Sequence, residues 1–248
     1  MQKVISIVPA APLRAESFHR SEMVSELLFG ETAKVLEVDK NFIKIKTDLN
    51  HYEGWIQYSQ ITEIKDTEPL KILGYAYEEG NILFNNLPMR ISIGTPVFDI
   101  KNIGKYTVDY SNIEYKKLIV FSEDEIKNIA FKFINTSYLW GGRSSFGIDC
   151  SGFAQLVYSF FGVYLPRDTY QQATIGETID YLDQSKCGDL AYFDNEDGRI
   201  IHVGIILNKE NIIHSSGKVR IDKIDAQGIV NVDNGERTHK LRIIKRVV

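Results

Sequence analysis

The chain has 248 residues, of which 44% are hydrophobic and 25% charged, so it can bury a sizeable core and lacks the composition of a disordered protein. Its net charge of −4 and the absence of a long basic stripe argue against a nucleic-acid partner. No apolar run approaches the roughly 18 residues of a membrane-spanning helix, and the short apolar N-terminus, interrupted by Pro9 and Pro12, lacks a signal-peptide core.

The first 66 residues alternate apolar and polar side chains over short stretches. The segments "KVLEV", "FIKIKT" and "GWIQYSQI" are separated by turn-forming stretches such as "DLNHYEG". Short strands of this kind predict a small β-barrel over residues 1–66. Residues 67–119 repeat the pattern in "LGYAYEEGNILF" and "MRISIGTPVFDI", so we assign them to a second, degenerate barrel or a linker domain.

The pattern becomes helical at residue 122. Ser122 and Glu125 stand at capping-box spacing, and apolar residues then recur on one helical face up to Ile134. A second apolar helix is predicted to begin at Cys150 and to stop at Gly162, and five strand-like segments follow it. Two helices followed by a series of strands predict an α+β domain over residues 120–248.

Cys150 lies at the start of the second predicted helix, just after Asp149 in the turn-forming "GID". The unpaired N–H groups and the positive dipole end of a helix N-terminus favour a thiolate over a thiol. Cys150 is therefore a candidate nucleophile. The alternative is a small buried core residue, because free cysteine is among the residue types most often buried.

Two of the five histidines, His202 and His214, flank a short turn centred on Asn208. Residues equidistant from a hairpin turn lie opposite each other, so the two imidazoles are predicted to be cross-strand neighbours on one face. Gly204 lies on the same face as His202 and leaves space beside it. The other three histidines have no visible partner and are assigned to the surface or to structural positions: His19, His51 and His239.

A cysteine with two facing histidines suggests a nucleophile, a general base and a residue that orients the base. In this hypothesis Cys150 attacks, His202 takes its proton, and His214 holds the imidazole in the right tautomer. The same residue types could instead form a Cys–His–His zinc site, with Asp149 as the only nearby candidate for a fourth ligand. We favour catalysis without a metal or cofactor, because nothing in the sequence fixes that fourth ligand.

Six motifs between residues 120 and 235 resemble the NlpC-type papain-like cysteine peptidases of bacterial cell-wall metabolism: "YLWGG", "DCSGF", "LPRDTYQQ", "GDLAYF", "HVGII" and "IIHSSG". The first barrel resembles the bacterial SH3-like domain of the dipeptidyl-peptidase VI-like branch, which hydrolyses the γ-D-glutamyl–diamino acid bond of peptidoglycan peptides. The resemblance implies a peptidase domain of helices packed on an antiparallel sheet, preceded by one or two SH3-like barrels.

The resemblance also implies catalytic roles at the matching positions. It makes Cys150 the nucleophile, His202 the base and His214 the third polar member of the site. It places Tyr138, in "YLWGG", beside the oxyanion site, where a hydrogen-bond donor would stabilise charge on the carbonyl oxygen.

Substrate contacts are implied in the same way. Asp149 and Ser151 match positions that contact the D-Glu moiety, and Asp168 matches a carboxylate that helps to hold the free ammonium group of the substrate. Thr169 stands where the family often has serine, a departure that keeps the hydroxyl.

The first barrel offers further groups for an ammonium end, which binds carboxylates and aromatic faces. We select Glu22 and Tyr58 for this role. Four other residues are close enough in sequence to replace them: Glu16, Glu26, Tyr52 and Glu53.

The resemblance implies a cysteine endopeptidase that recycles released wall peptides, cleaving stem peptides of the type L-Ala-γ-D-Glu-diamino acid with a free N-terminal L-Ala. Two alternatives stay open: a papain-like acyltransferase, and a non-catalytic protein that binds cell-wall peptides. The sequence implies no cofactor, no nucleic-acid partner and no membrane span, and carries no signal of oligomeric state. We expect a cytoplasmic location, or a periplasmic one if a leader is missing from the sequence.

Overall fold

The structure is a computed structural model that describes residues 2–65 and 70–248 of the chain. The chain divides into two compact units. Unit 1 comprises Met1–Ile119 and Trp140–Phe146, and unit 2 comprises Val120–Leu139 and Gly147–Val248. The predicted boundary at residues 66 and 67 lies outside the described residues. Within the described ranges, no helix has the length and apolar character needed to cross a membrane.

The first part of unit 1 is a sheet of seven antiparallel strands. They are β1 (Lys3–Ser6), β2 (Ala10–Arg14), β3 (Met23–Leu28), β4 (Thr32–Asp39), β5 (Phe42–Thr47), β6 (Glu53–Gln57) and β7 (Ile61–Ile64), ordered β3-β2-β6-β5-β4-β1-β7. Their alternating apolar residues bury one core, which includes Val4, Leu13, Ile43, Ile45 and Ile56. Short alternating strands therefore form here as the sequence predicted.

The second part of unit 1 contains shorter strands. They are β8 (Ile72–Ala76), β9 (Gly80–Phe84), β10 (Leu87–Ile91), β11 (Pro96–Phe98), β12 (Asn102–Ile103), β13 (Tyr106–Asp109), β14 (Tyr115–Lys116) and β15 (Arg143–Ser144). Their core residues Ile82 and Val97 pack in one cluster with Ile5 and Phe29 of the first part. The apolar side chains of these shorter strands therefore pack in a cluster that they share with the first part of unit 1.

Residues 140–146 belong to unit 1, although the sequence pattern placed them inside the domain predicted for residues 120–248. The indole N–H of Trp140 donates a hydrogen bond of 2.6 Å to the Glu22 carboxylate. The backbone N–H of Arg143 donates one of 2.7 Å to the buried Glu26, and the Arg143 guanidinium pairs with Glu31. These polar contacts attach the segment to unit 1.

Unit 2 contains three α-helices within the described part of the chain: α1 (Glu123–Phe131), α2 (Cys150–Ser159) and α3 (Thr169–Gln172). The Ser122 hydroxyl caps α1 by accepting a hydrogen bond of 3.2 Å from the Glu125 backbone N–H, as the spacing predicted. The Asp149 carboxylate caps α2 by accepting one of 2.7 Å from Gly152. Every residue of α2 is buried, and the helix packs against two strands of the following sheet.

The strands of unit 2 are β16 (Gly147–Ile148), β17 (Glu177–Ile179), β18 (Leu190–Asp194), β19 (Ile200–Asn208), β20 (Asn211–Ser216), β21 (Lys218–Asp225), β22 (Gly228–Val230) and β23 (Arg237–Arg246). Seven of them form one antiparallel sheet in the order β17-β23-β18-β19-β20-β21-β22. The long strand β23 also pairs with β22, so the strands from β18 to β23 close into a ring. The apolar residues inside it include Phe193, Ile206, Ile212, Ile224 and Ile229.

The structure is mostly sheet, so the predicted layer of helices on a sheet is not shown. Only 12% of the structure is helical. The physical reason lies in β23, whose ten residues are long enough to pair with β18 and β22 at once. A sheet that closes on itself covers its own apolar face with other strands, so it needs fewer helices to do so.

Candidate active site

Cys150 is the first residue of α2 and is 5% exposed. Burial, followed by the negative charge of Asp149, raises the pKa of the Cys150 thiol to about 12. The expected preference for a thiolate is therefore wrong for this site, because loss of hydration outweighs the effect of the helix N-terminus. The backbone of Val203 lies within hydrogen-bonding reach of the sulfur, which places Cys150 beside β19 next to His202.

His202 on β19 and His214 on β20 are buried neighbours, as predicted. His202 Nε2 lies 2.8 Å from His214 Nδ1. The two residues are not directly opposite, because the turn follows Asn208 instead of being centred on it, and a β-bulge then places His214 opposite Gly204. A Cβ atom at residue 204 would come within 3.0 Å of the His214 Cβ. The absence of a side chain at Gly204 therefore leaves room for the side chains of Ile212 and His214.

The hydrogen bonds continue from His214 to Asp222 on β21, a residue that the sequence pattern did not indicate. His214 Nε2 lies 2.9 Å from Asp222 Oδ2. The Asp222 Oδ1 atom accepts hydrogen bonds of 2.9 Å from the Arg220 guanidinium and from the Val232 backbone N–H. Burial alone would raise the pKa of Asp222, but the hydrogen bonds from His214, Val232 and Arg220 outweigh it and lower the pKa to about 2. We call His202, His214 and Asp222 the imidazole row.

The charge on Asp222 determines where the protons of the imidazole row lie. A carboxylate only accepts hydrogen bonds, so His214 donates from Nε2 and its Nδ1 accepts. His202 then donates from Nε2 to His214, and its Nδ1 keeps a lone pair. Burial, His239 and His214 hold the pKa of His202 well below its usual 6.5, so the ring is neutral at pH 7. His202 Nδ1 is therefore the nitrogen that can take a proton.

His239 on β23 also contacts this row, although the sequence showed no partner for it. Its ring centroid lies 4.0 Å from that of His202, with an angle of 24° between the ring planes. Burial is the main cause that lowers the pKa of His239 to about 4. The sequence separates His239 from His202 by several strands, and only the closure of the ring by β23 brings them together.

Tyr138 lies within electrostatic reach of Cys150. Burial, together with the charges of Cys150 and Asp149, raises the pKa of the Tyr138 phenol above its usual range. The phenol is therefore protonated at neutral pH and can donate a hydrogen bond to a carbonyl oxygen. The backbone N–H of Tyr138 donates a hydrogen bond of 3.0 Å to the Gly217 carbonyl, which fixes the main chain at this position.

A second buried polar group surrounds the start of α2. Arg167 Nη1 donates hydrogen bonds of 3.0 Å to Asp149 Oδ1 and of 2.6 Å to Ser151 Oγ. We call Arg167, Asp149 and Ser151 the arginine clamp. The two residues predicted to contact the D-Glu moiety thus already bond within the protein. Arg167 was not selected from the sequence, although it precedes Asp168 in "LPRDTYQQ".

The remaining predicted substrate residues are distributed over both units. Asp168 precedes α3 and is half-buried, and the Thr169 hydroxyl donates a hydrogen bond of 3.3 Å to the Ile200 carbonyl in unit 2. In unit 1, the exposed Tyr58 donates one of 3.3 Å to Glu63, whereas Glu22 accepts the Trp140 bond. The substrate-binding roles of these residues stay predictions.

The zinc alternative finds no matching geometry in the described ranges. Among residues 2–65 and 70–248, no group of three or more His, Cys, Asp and Glu side chains is arranged to hold a metal ion. Cys150 and Cys187 are both free thiols.

Comparison with protein families decides what kind of domain carries this site. The NlpC/P60 family matches residues 135–237, which include Cys150, His202 and His214. These residues form an NlpC/P60 cysteine peptidase domain. The bacterial dipeptidyl-peptidase SH3 domain matches residues 13–61 of unit 1. The predicted combination of a cysteine peptidase domain with an N-terminal SH3-like barrel is confirmed.

Two similar proteins are named as dipeptidyl-peptidases. The chain is 29% identical over 213 residues to a γ-D-glutamyl-L-lysine dipeptidyl-peptidase of Bacillus subtilis (strain 168), a match that covers 77% of this chain and 71% of that protein. It is 25% identical over 259 residues to dipeptidyl-peptidase 6 of Lysinibacillus sphaericus, covering 90% of this chain and 92% of that protein.

A solved structure supports the fold. The crystal structure of an NlpC/P60 family protein from Bacillus cereus ATCC 10987 matches with a TM-score of 0.82 and 18% identity, over 99% of each chain. This similarity confirms the NlpC/P60 fold with an SH3-like barrel.

Proposed function

We propose that this NlpC/P60 peptidase hydrolyses the γ-D-glutamyl–diamino acid bond of peptidoglycan-derived peptides that carry a free N-terminal L-Ala. The observation that carries the proposal is the imidazole row, which leaves a lone pair on Nδ1 of His202, the neighbour of Val203, whose backbone lies within hydrogen-bonding reach of the Cys150 sulfur. The substrate rests on similarity to relatives named γ-D-glutamyl-L-lysine dipeptidyl-peptidase and dipeptidyl-peptidase 6, and on the SH3 domain of the dipeptidyl-peptidase type.

Acylation begins from a neutral thiol and a neutral imidazole. His202 Nδ1 takes the thiol proton as the Cys150 sulfur attacks the γ-carbonyl carbon of D-Glu, and a C–S bond forms. Tyr138 donates a hydrogen bond to the oxygen on which negative charge develops. The imidazolium of His202 then gives its proton to the leaving nitrogen of the diamino acid, and the C–N bond breaks. The products of this step are a thioester and a free diamino acid.

Deacylation uses the same groups in the reverse order. His202 Nδ1 takes a proton from a water molecule as the water oxygen attacks the thioester carbon. The C–S bond breaks, the L-Ala-D-Glu dipeptide leaves, and His202 returns the proton to the Cys150 sulfur. The row of His214 and Asp222 supports both steps, because an ionised carboxylate at its end stabilises positive charge on the rings.

Specificity for a free N-terminus requires groups that bind an ammonium ion. We propose Asp168 for this role, with Glu22 and Tyr58 as further candidates, on the family resemblance. A requirement for a free L-Ala end would limit cleavage to peptides already released from the wall. On this proposal the enzyme therefore acts in the recycling of wall peptides.

The test is mass spectrometry of L-Ala-γ-D-Glu-L-Lys and L-Ala-γ-D-Glu-meso-diaminopimelate, each incubated with the wild type, Cys150→Ala and Cys187→Ala. We expect L-Ala-D-Glu to be released by the wild type and by Cys187→Ala, which removes the other buried cysteine. Cys150→Ala is expected to lose activity by about 10⁴-fold or more, because the nucleophile is absent.

Two further measurements distinguish hydrolysis from acyl transfer and test the requirement for a free N-terminus. In heavy-oxygen water, hydrolysis places one heavy oxygen in the released dipeptide, whereas transfer to an added amine gives an acyl amide without it. An N-acetylated tripeptide should be cleaved poorly. If the folded wild type left both tripeptides uncleaved, the proposed function would be contradicted. Full activity of Cys150→Ala would also contradict it.

A further inference from the structure

His239 faces the inside of the ring of strands in unit 2, at the level of the imidazole row. It pairs with Ile229 on β22, and Ile229 belongs to the apolar core inside the ring. His202 and His214 lie on the strand faces that also bear the core residues Ile206 and Ile212. The three imidazoles therefore form a polar layer against one end of the apolar core.

The ring of His239 stacks on the ring of His202. Its plane is nearly parallel to that of His202 at a centroid distance of 4.0 Å. It contacts His214 and Phe193 edge-on, with centroid distances of 5.9 Å in both cases. The Phe193 ring also lies 5.8 Å from His202 at 47°. Rotation of the His202 ring about its Cβ–Cγ bond would therefore break the stacking with His239.

We propose that His239 is a positioning residue for His202: its stacked ring holds the His202 ring in the plane that keeps Nε2 on His214 and Nδ1 available to Cys150, and shields it from water. The inference rests on the proposed function in one respect, namely that His202 is the general base. It adds a residue to the site that neither the family motifs nor the hydrogen-bonded row contains.

The surroundings of His239 define the direction of its effect on pH dependence. The groups that face it from neighbouring elements are His202 on β19, His214 on β20, Asp222 on β21, the apolar Phe193 on β18 and its pairing partner Ile229 on β22. On its own strand, Nδ1 lies 2.8 Å from the Thr238 hydroxyl.

Loss of the His239 ring should make His202 easier to protonate. Burial and the proximity of His239 both oppose a positive charge on His202. When His239 is truncated, water reaches His202 and its pKa rises, so the neutral base is lost at a higher pH than in the wild type. The acid side of the activity profile should therefore move to higher pH. A phenylalanine at this position would keep the burial and the stacking.

The test compares the wild type with His239→Ala and His239→Phe by two measurements. The first is the pH dependence of Cys150 alkylation by iodoacetamide, followed by peptide mass mapping so that Cys187 is read separately. The second is kcat and KM for the tripeptide. Alkylation needs no substrate, so it tests the role of His239 even if the proposed substrate is wrong. His19→Ala is the control, because His19 makes a comparable edge contact with Phe42 in unit 1.

In His239→Ala we expect the acid side of the alkylation profile to move to higher pH and kcat to fall about fivefold at unchanged KM, the effect of losing one aromatic contact in the transition state. His239→Phe should restore most of both properties, and His19→Ala should change neither. An unchanged alkylation profile in His239→Ala would overturn the proposal, even if the variant unfolds at a lower temperature. Failure of the wild type to cleave any tripeptide would contradict only the proposed function.

Discussion

The imidazole row and the arginine clamp are both buried in unit 2, but they consist of different kinds of groups. The row consists of two imidazoles that end on one carboxylate, with an Nε2–Nδ1 distance of 2.8 Å and an Nε2–Oδ2 distance of 2.9 Å. The clamp consists of a guanidinium bonded to a carboxylate and a hydroxyl. Arg167 is permanently protonated, whereas the imidazoles can gain and lose protons.

This difference shows how one site separates proton transfer from structural support. A base must change its protonation state during the reaction, so its neighbours are neutral rings and its charge compensation lies two hydrogen bonds away at Asp222. The start of α2 must keep Cys150 in place throughout the reaction, and a guanidinium bonded to a carboxylate and a hydroxyl suits that task. We therefore expect the clamp to dominate stability and the row to dominate the rate.

Breaking the clamp should give the largest effect. Arg167→Met leaves the Asp149 carboxylate buried without its counter-charge, and the expected loss of stability is about 3–5 kcal/mol. The measurement is the urea concentration at the unfolding midpoint. Arg237→Met is the matched control, because Arg237 pairs with the more exposed Asp225, and it should cost much less. Equal losses in the two variants would show that the clamp does not support the fold.

Reversing the direction of the hydrogen bonds in the imidazole row should give the next largest effect. This change should lower the rate of peptide cleavage. In Asp222→Asn an amide N–H₂ can donate to His214 Nε2, which then accepts and donates from Nδ1 instead. His202 Nε2 becomes an acceptor, its Nδ1 carries the proton, and the base is blocked. We expect kcat to fall by about 10- to 100-fold with little change in KM.

Asp225→Asn is the control for this variant. Asp225 lies on the same strand, and its ion pair with Arg237 is the main cause of its own low pKa of about 2. The hydrogen bonds of the imidazole row join His202, His214 and Asp222 and do not involve Asp225. The steady-state rates of the two variants with the tripeptide provide the measurement. Similar rates would mean that the carboxylate at position 222 does not set the tautomers.

The smallest expected effect is a pH dependence of stability that comes from His239. His239 has a pKa of about 4 in the folded chain and 6.5 as its ordinary value. Between these values the unfolded chain binds a proton that the folded chain does not, so stability decreases as pH falls from 6.5 to 4. Thermal unfolding midpoints over this interval should fall less steeply in His239→Phe. Parallel curves for the wild type and the variant would contradict this assignment.

Local signals in the sequence predicted much of the site. The turn at Asp149, the helix that begins at Cys150 and the contact of His202 with His214 all depend on neighbours within one element or one hairpin. The same hairpin reasoning applied to "NIIHSSGKVRID" would have found Asp222, which pairs with Ile212, two residues from His214. That aspartate looked like an ordinary polar residue of an alternating strand.

The features that the sequence did not predict depend on contacts between distant segments. The β-bulge that shifts His214 opposite Gly204 has no single residue signature. The high pKa of Cys150 depends on how deeply the folded protein buries the sulfur. The contact of His239 with His202 requires β23 to close the ring, and the attachment of residues 140–146 to unit 1 requires carboxylates more than a hundred positions earlier in the chain.

The closing strand β23 also bears on the order in which unit 2 folds. β18 pairs with β23, which begins more than forty residues later, and β22 pairs with it as well. Pairing between such distant segments is late and slow in folding, because loop closure must precede it. A nascent chain in which residues 237–246 are still within the ribosome lacks the strand that carries His239. The stacked contact between His239 and His202 should therefore form only after residues 237–246 have been synthesised.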